Sequence, residues 1–95
     1  MPDTLTVSHN SAAHQFEMRT EKGTALLRYG REGPNLDLLH TEVPDELEGH
    51  GYGSALAKAA LDYAKDEGLK IIPSCPFVST FIQRHPEYAS LIATP

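Results

Sequence analysis

The hydrophobic period of this chain changes once, at a glycine-rich segment near its middle. Before that segment, apolar and polar residues alternate, as they do in strands with one buried face. From Gly53 to Ala64, small and apolar residues recur at three- and four-residue spacing, which predicts a helix with one buried stripe that ends at Gly68. The 95 residues can bury one modest core, so we expect a single domain over residues 1–95.

The first half predicts four short strands, over residues 4–8, 14–20, 24–31 and 36–43, with a turn at 9–13. Connections this short join neighbouring strands in antiparallel fashion, which predicts a four-stranded meander. In the fourth strand, simple alternation places Leu36, Leu38, His40 and Glu42 on one face and Asp37, Leu39, Thr41 and Val43 on the other.

After the long helix, Leu69, Ile71 and Ile72 predict a short buried strand. A strand, a helix and a strand in this order indicate a crossover between parallel strands. Pro76 fits the first turn of a second helix that ends before Pro86 and turns its apolar residues inward: Phe77, Val78, Phe81 and Ile82. The predicted fold class is α+β, with an antiparallel four-stranded meander followed by one β-α-β unit and a C-terminal helix.

The charge and composition exclude several classes of function. Acidic residues outnumber basic ones 13 to 8, which argues against a nucleic-acid partner. No apolar run approaches the ~20 residues that cross a bilayer, and the N-terminus has no signal-peptide pattern, so we expect no membrane association. A single cysteine, Cys75, is typical of a cytoplasmic protein. The five histidines share no ligand spacing, so we expect no metal site, and we expect a monomer or a weak homodimer.

The glycine-rich segment, residues 48–54, lies between the fourth strand and the long helix. Gly49, Gly51 and Gly53 alternate along it, which lets the backbone approach a ligand closely. Its N–H groups, together with the helix N-terminus, can bind an anion such as a pyrophosphate. The alternative is that the glycines serve only a tight connection. The segment lacks the Gly-Lys-Ser/Thr ending of a Walker loop, and it does not occupy the place of a dinucleotide fingerprint.

Four segments together resemble the small one-domain GNAT-like N-acetyltransferases of the YjdJ type: residues 39–44, 49–56, 71–78 and 85–88. The resemblance spans roughly residues 4–92. It implies a GNAT-like fold with acetyl-CoA as the acyl donor. It also implies that the pantetheine arm of coenzyme A lies along Thr41, Glu42 and Val43, and that the pyrophosphate lies on residues 49–54. The predicted cofactor-binding residues are Thr41, Val43, Glu48, Gly49, His50, Gly51, Tyr52, Gly53, Ser54 and Lys58.

Two of these residues have alternative interpretations. His50 can donate to a phosphate oxygen, or it can be a solvated loop side chain. Lys58 is the first basic residue after Arg31 and a candidate for an adenosine phosphate, but helical lysines are mostly just solvated. The chain also departs from the superfamily pattern. Glu48 stands where the superfamily loop usually carries Gln or Arg. The second predicted strand follows the first after only a few residues, so we expect this chain to lack the extra N-terminal helices that build the acceptor site in full-length GNAT enzymes.

Cys75, His40 and Glu42 are the predicted catalytic residues. Cys75 precedes Pro76 at the start of the second helix, where the helix dipole favours a thiolate that can attack the thioester and form an acetyl-cysteine. The alternative is a small buried cysteine with no reactive role. For direct transfer to an amine, His40 or Glu42 would act as the base, although His40 can equally be structural.

The predicted function is therefore a coenzyme A-dependent acyltransferase that moves an acetyl group to an amine acceptor. Two alternatives stay open: a coenzyme A-binding module without catalysis, and a small structural protein whose glycines are only geometric.

Overall fold

A computed structural model describes residues 6–93. The strands are β1 (Ser8–Asn10), β2 (Gln15–Thr20), β3 (Gly23–Glu32), β4 (Asn35–Glu42) and β5 (Lys70–Ile72). The α-helices are α1 (Tyr52–Glu67) and α2 (Pro76–Arg84), and three 3-10 helices cover Ser11–Ala13, Asp45–Leu47 and Pro86–Leu91. The helices of the described chain are all too short and too polar to cross a membrane.

The five strands form one sheet in the order β1-β2-β3-β4-β5. The first four are antiparallel neighbours, and β5 pairs with β4 in parallel after the α1 crossover. This confirms the predicted meander followed by a β-α-β unit, and with it the α+β fold class. The chain after the last 3-10 helix returns to the sheet, where Ile92 forms a parallel bridge with Ile71.

The predicted boundaries of the first strand were wrong. Residues 4 and 5 lie outside the described residues, and β1 runs from Ser8 through Asn10, where a turn was expected. His9 continues the strand because its ring stacks on Phe16 of β2 with the ring centroids 4.3 Å apart. The turn begins only after Asn10, whose side-chain oxygen accepts a hydrogen bond from the N–H of Ala13 at 3.2 Å.

Helix α1 follows its predicted course closely. It ends at Gly68, whose left-handed conformation, with a φ of 71°, closes the last turn. Its apolar stripe is completely buried against the sheet and consists of Leu56, Ala57, Ala60, Leu61 and Ala64. Small alanines in this stripe let the helix approach the sheet closely, so one hydrophobic cluster joins α1, α2 and one face of the sheet.

Helix α2 begins at Pro76 and ends at Arg84, as predicted. Val78, Phe81 and Ile82 are buried, but the prediction that Phe77 also faces the core was wrong, since this residue is 42% exposed. Phe77 lies one position ahead of the buried stripe, and its ring reaches the start of α1 instead.

A β-bulge in β4 exchanges the two faces of the sheet near its end. Tyr29 lies opposite Leu38, whereas its neighbour Arg28 lies opposite His40, so Leu39 is the extra residue. Side chains of paired residues point to the same face, and Thr41 is paired with buried Leu27. Thr41 therefore shares the helix-covered face with Leu38.

The bulge also corrects the predicted faces of β4. Simple alternation put His40 and Glu42 on the face of Leu36 and Leu38, and this was wrong. One inserted residue reverses the alternation, because the side-chain period of a strand is two. His40 and Glu42 are exposed on the opposite face, which also carries Arg28. We call this second side of the sheet the open face; its residues include Gln15, Glu17, Arg28, Asp37, His40 and Glu42.

Candidate active site

Strands β4 and β5 separate part-way along their length. They pair only at residues 35–37 of β4 and 70–72 of β5, followed by one hydrogen bond from the N–H of Cys75 to the carbonyl of Leu38 at 2.8 Å. The chain then turns into α2, while β4 continues to Glu42. Within residues 6–93, no strand pairs with this side of β4 beyond Leu38. The backbone there is available to an extended ligand.

A cleft of about 500 Å³ opens where β4 and β5 separate. The end of β4, the glycine-rich loop and the first turns of α1 and α2 form its walls. We call it the β4–α1 cleft; its lining residues are Thr41, Val43, Leu47, Glu48, Gly49, Gly51, Tyr52, Gly53, Ser54 and Phe77. Every predicted cofactor-binding residue except His50 and Lys58 lines this cleft.

His50 and Lys58 lie elsewhere. His50 lines a neighbouring cavity of about 630 Å³, on the side of the loop that meets the β2–β3 turn at residues 20–22. Lys58 extends along the exposed side of α1, where its Nζ donates to Asp62 at 2.8 Å. The roles of His50 and Lys58 toward coenzyme A stay predictions.

The glycine-rich loop combines two left-handed residues with an uncapped helix start. Gly49 and Gly51 have φ values of 83° and 85°, a conformation that favours glycine strongly. Gly51 is the N-cap residue of α1, and no side chain caps this helix. The N–H groups of its first turn, at residues 52–54, therefore have no partner in the helix and lie at the wall of the cleft. Such groups, together with the helix dipole, attract an anion.

Gly53 is needed for packing as well. A Cβ atom at this position would lie 2.9 Å from Cζ of the Phe77 ring, so the ring covers the start of α1 where no side chain intervenes. Phe77 lines the cleft, although its apolar character had predicted a place in the core. The stripe of Val78, Phe81 and Ile82 by itself satisfies a helical period without Phe77. The position of Phe77 one residue ahead of that stripe is the sequence signal that predicts its exposure.

Cys75 is buried at the N-terminus of α2, next to the cleft residue Thr41. Its Sγ atom lies 3.4 Å from Oγ1 of Thr41. Burial raises the pKa of the Cys75 thiol, but hydrogen bonds from the Thr41 side chain and from the backbone N–H groups of Val78 and Phe77 outweigh it. The pKa therefore lies below its ordinary value, which favours the nucleophilic thiolate.

His40 and Glu42 contact each other on the open face, with His40 Nε2 and Glu42 Oε2 3.0 Å apart. Both side chains are well exposed. The structure thus brings these two candidates together but separates them from the Cys75 thiol, which lies on the helix-covered side with Thr41. Among residues 6–93, no group of three or more histidine, cysteine, aspartate or glutamate residues could hold a metal ion.

Residues 15–91 match the model of a protein family described as GCN5-related N-acetyl-transferase. The chain belongs to this family. It is similar to Protein NATD1 of Mus musculus, with 36% identity over 85 residues that cover 86% of this chain and 77% of the relative. Protein NATD1 of Danio rerio is 36% identical over 93 residues, which cover 93% of this chain and 84% of the relative.

The fold also agrees with a solved structure. The solution structure of a GCN5-like putative N-acetyltransferase from Staphylococcus aureus has a TM-score of 0.74 and 26% sequence identity. The match covers 99% of this chain and 93% of that one. The resemblance to small GNAT-like domains, drawn from the four sequence segments, is confirmed.

Proposed function

We propose that this GCN5-related domain binds acetyl-CoA in the β4–α1 cleft and transfers the acetyl group to an amine. One observation carries the proposal. The cleft joins the unpaired side of β4, the uncapped start of α1 and, through Thr41, a cysteine whose pKa is lowered. The unpaired side of β4 can bind a peptide-like arm, and the start of α1 can bind an anion. The cysteine can then meet a reactive thioester.

The cleft residues fit the parts of coenzyme A. The pantetheine arm carries two amide groups, which can pair with the free backbone of residues 41–43 as a further strand would. The pyrophosphate would accept hydrogen bonds from the N–H groups of residues 52–54. The residues that line the β4–α1 cleft include no Lys or Arg, so backbone N–H groups and the helix dipole would hold the phosphates. When bound, acetyl-CoA supplies an acyl group on a good leaving thiolate.

In the covalent route, the Cys75 thiolate attacks the thioester carbonyl and the thiolate of coenzyme A leaves. The acceptor amine then attacks the acetyl-cysteine, loses a proton and releases the Cys75 thiolate again. Thr41 and the first N–H groups of α2 stabilise the negative sulfur before and after the acetyl group is held. The lowered pKa of the Cys75 thiol favours the thiolate that makes this first attack.

In the direct route, the amine attacks the thioester without a covalent intermediate. Glu42 or His40 would then take the proton from the amine on the open face. The geometry favours neither base over the other, since the two are bonded together at 3.0 Å. A binding module without catalysis is the second candidate function, and the exposure of both His40 and Glu42 to solvent favours it.

Intact-mass spectrometry after incubation with acetyl-CoA tests the covalent route. We expect the protein to gain one acetyl group, which Cys75→Ser loses while coenzyme A binding by calorimetry is retained. Cys75 is the sole cysteine, so a thioester adduct that hydroxylamine removes is unambiguous. Binding without acetylation, together with thiol release when amines are added, would support the direct route. Binding with neither would leave the non-catalytic module, and no binding at millimolar coenzyme A would refute the proposal.

A further inference from the structure

Two hydrogen bonds hold the segment that carries Cys75 to consecutive residues of β4, and a third bond links it back to β5. The N–H of Cys75 donates to the carbonyl of Leu38 at 2.8 Å. The hydroxyl of Ser74 donates to Oδ1 of Asp37 at 2.6 Å, and the N–H of Ser74 donates back to the carbonyl of Ile72 at 3.0 Å. Asp37 and Leu38 thus anchor Ser74 and Cys75 at the point where β5 gives way to α2.

These contacts lie on different sides of the sheet. The alternation of β4 before the bulge puts Asp37 on the open face, because Leu36 and Leu38 are buried on the helix-covered face. The Ser74 hydroxyl is therefore held from the open face, whereas the Cys75 sulfur contacts Thr41 on the opposite side. The main-chain bond from Cys75 to Leu38 lies in the plane of the sheet, between these two side-chain contacts. Residues 74–75 are therefore held by contacts on both faces of the sheet and by a bond within its plane.

We propose that Ser74 and Asp37 are positioning residues for the Cys75 thiol, and that their hydrogen bond orients the sulfur toward Thr41 and the start of α2. The inference rests on the proposed function, since a positioned thiol matters for acyl transfer. The function itself does not use either side chain. Ser74 is exposed and Asp37 is half-buried, so the bond adds little to a core. The effect of the Ser74–Asp37 bond is instead to fix the orientation of the backbone that carries Cys75.

The sulfur needs this orientation because its partners are neutral and directional. The donors that act on it are the hydroxyl and backbone N–H of Thr41 and the N–H groups of Phe77 and Val78. Hydrogen bonds weaken steeply when a donor and an acceptor lose alignment. Loss of the Ser74–Asp37 bond should therefore make the Cys75 thiol less acidic, because the donors around the sulfur lose their alignment.

The experiment measures the rate at which iodoacetamide alkylates Cys75 as a function of pH, by intact mass. This readout needs no coenzyme A. Ser74→Val and Ser74→Thr form a matched pair of the same size, and only Thr keeps the hydroxyl. We expect Ser74→Val to raise the pH midpoint by about 0.5 unit, which slows alkylation roughly threefold below the midpoint. Ser74→Thr should restore the wild-type profile, and Ser90→Ala, at an exposed serine in the last 3-10 helix, should leave it unchanged.

Equal midpoints for Ser74→Val and Ser74→Thr would overturn the inference, and so would a Ser74→Val profile equal to that of the wild type. Acetylation of Cys75 by acetyl-CoA is followed in the same variants. A shifted alkylation profile without any acetylation would leave the positioning role intact and refute the covalent route. Acetylation of Cys75 with an unchanged alkylation profile would support the covalent route and refute the positioning role.

Discussion

At the residue scale, Thr41 is the side chain that connects the cleft to the cysteine. Its hydroxyl lies 3.4 Å from the Cys75 sulfur, and it lines the β4–α1 cleft. Hydrogen bonding to a thiolate favours the charged form, so the Thr41 hydroxyl lowers the pKa of Cys75. Removing it must raise this pKa and reduce the thiolate fraction at any pH below it.

We therefore expect Thr41→Val, which preserves the size of the side chain, to move the alkylation midpoint of Cys75 upward by up to about 1 pH unit. Rates measured by iodoacetamide labelling across pH 6–10 would show the shift. Thr80→Val, at an exposed position of α2, is the matched control. Superimposed profiles for Thr41→Val and wild type would contradict the assignment of Thr41.

Phe77 and Phe81 are two phenylalanines of one helix with different expected effects. Phe77 is exposed at the cleft, whereas Phe81 is buried in the core. We expect Phe77→Ala to weaken coenzyme A binding about tenfold by calorimetry, through lost apolar contact, with little change in the free energy of unfolding. Phe81→Ala should lower the free energy of unfolding by about 3–5 kcal/mol. Unchanged coenzyme A affinity in Phe77→Ala would argue against ligand contact with the ring.

At the element scale, Asp62 connects α1 to the last 3-10 helix. It accepts hydrogen bonds from Lys58 and from the hydroxyl of Tyr88, each at 2.8 Å. Burial raises the pKa of the Asp62 carboxyl, but the bonds from Lys58 and Tyr88 outweigh it, so the pKa lies below its ordinary value. The stabilisation is present above the ordinary carboxyl pKa and is lost as the pH falls through the lowered value.

We expect Tyr88→Phe to lower the free energy of unfolding by about 1 kcal/mol at pH 7, a modest value because the Asp62 side chain is partly exposed. Urea denaturation at pH 7 and at a series of lower pH values would show this difference shrinking once the pH falls through the lowered pKa of Asp62. Tyr52→Phe, at a tyrosine of the cleft with no side-chain bond to Asp62, serves as the control. A difference that grows in acid would contradict the sign of the Asp62 effect.

At the scale of the whole molecule, the sheet has one face covered by helices and one open face. Two adjacent isoleucines of β5 test this asymmetry. Ile71 is completely buried on the helix-covered side, and Ile72 points the other way and is half-buried. Ile71→Ala should lower the free energy of unfolding by about 2–5 kcal/mol in urea titrations, and Ile72→Ala by clearly less. Equal losses would mean that both faces are packed alike.

Local signals predicted most of the elements. The change of hydrophobic period, the stop at Gly68 and the start at Pro76 depend on residues a few positions apart, so α1, α2 and the meander could be read from the chain. The glycine-rich loop was located correctly for the same reason, because its conformation follows from glycines at fixed spacing. The family resemblance in four segments then predicted which fold these elements build.

The site needed contacts between residues far apart in the chain. The register shift opposite Arg28 and Tyr29 reversed the faces of His40 and Thr41. The sequence of β4 alone does not predict this bulge, because the bulge is defined by the pairing of β4 with β3. Phe77 lies at the cleft and not in the core, because Gly53 on α1 has no side chain and leaves space for its ring. The sequence by itself determined the order of elements, the loop and the lone cysteine. Only the tertiary structure decided which side chains meet that cysteine, because strand register and helix packing depend on partners that local spacing does not specify.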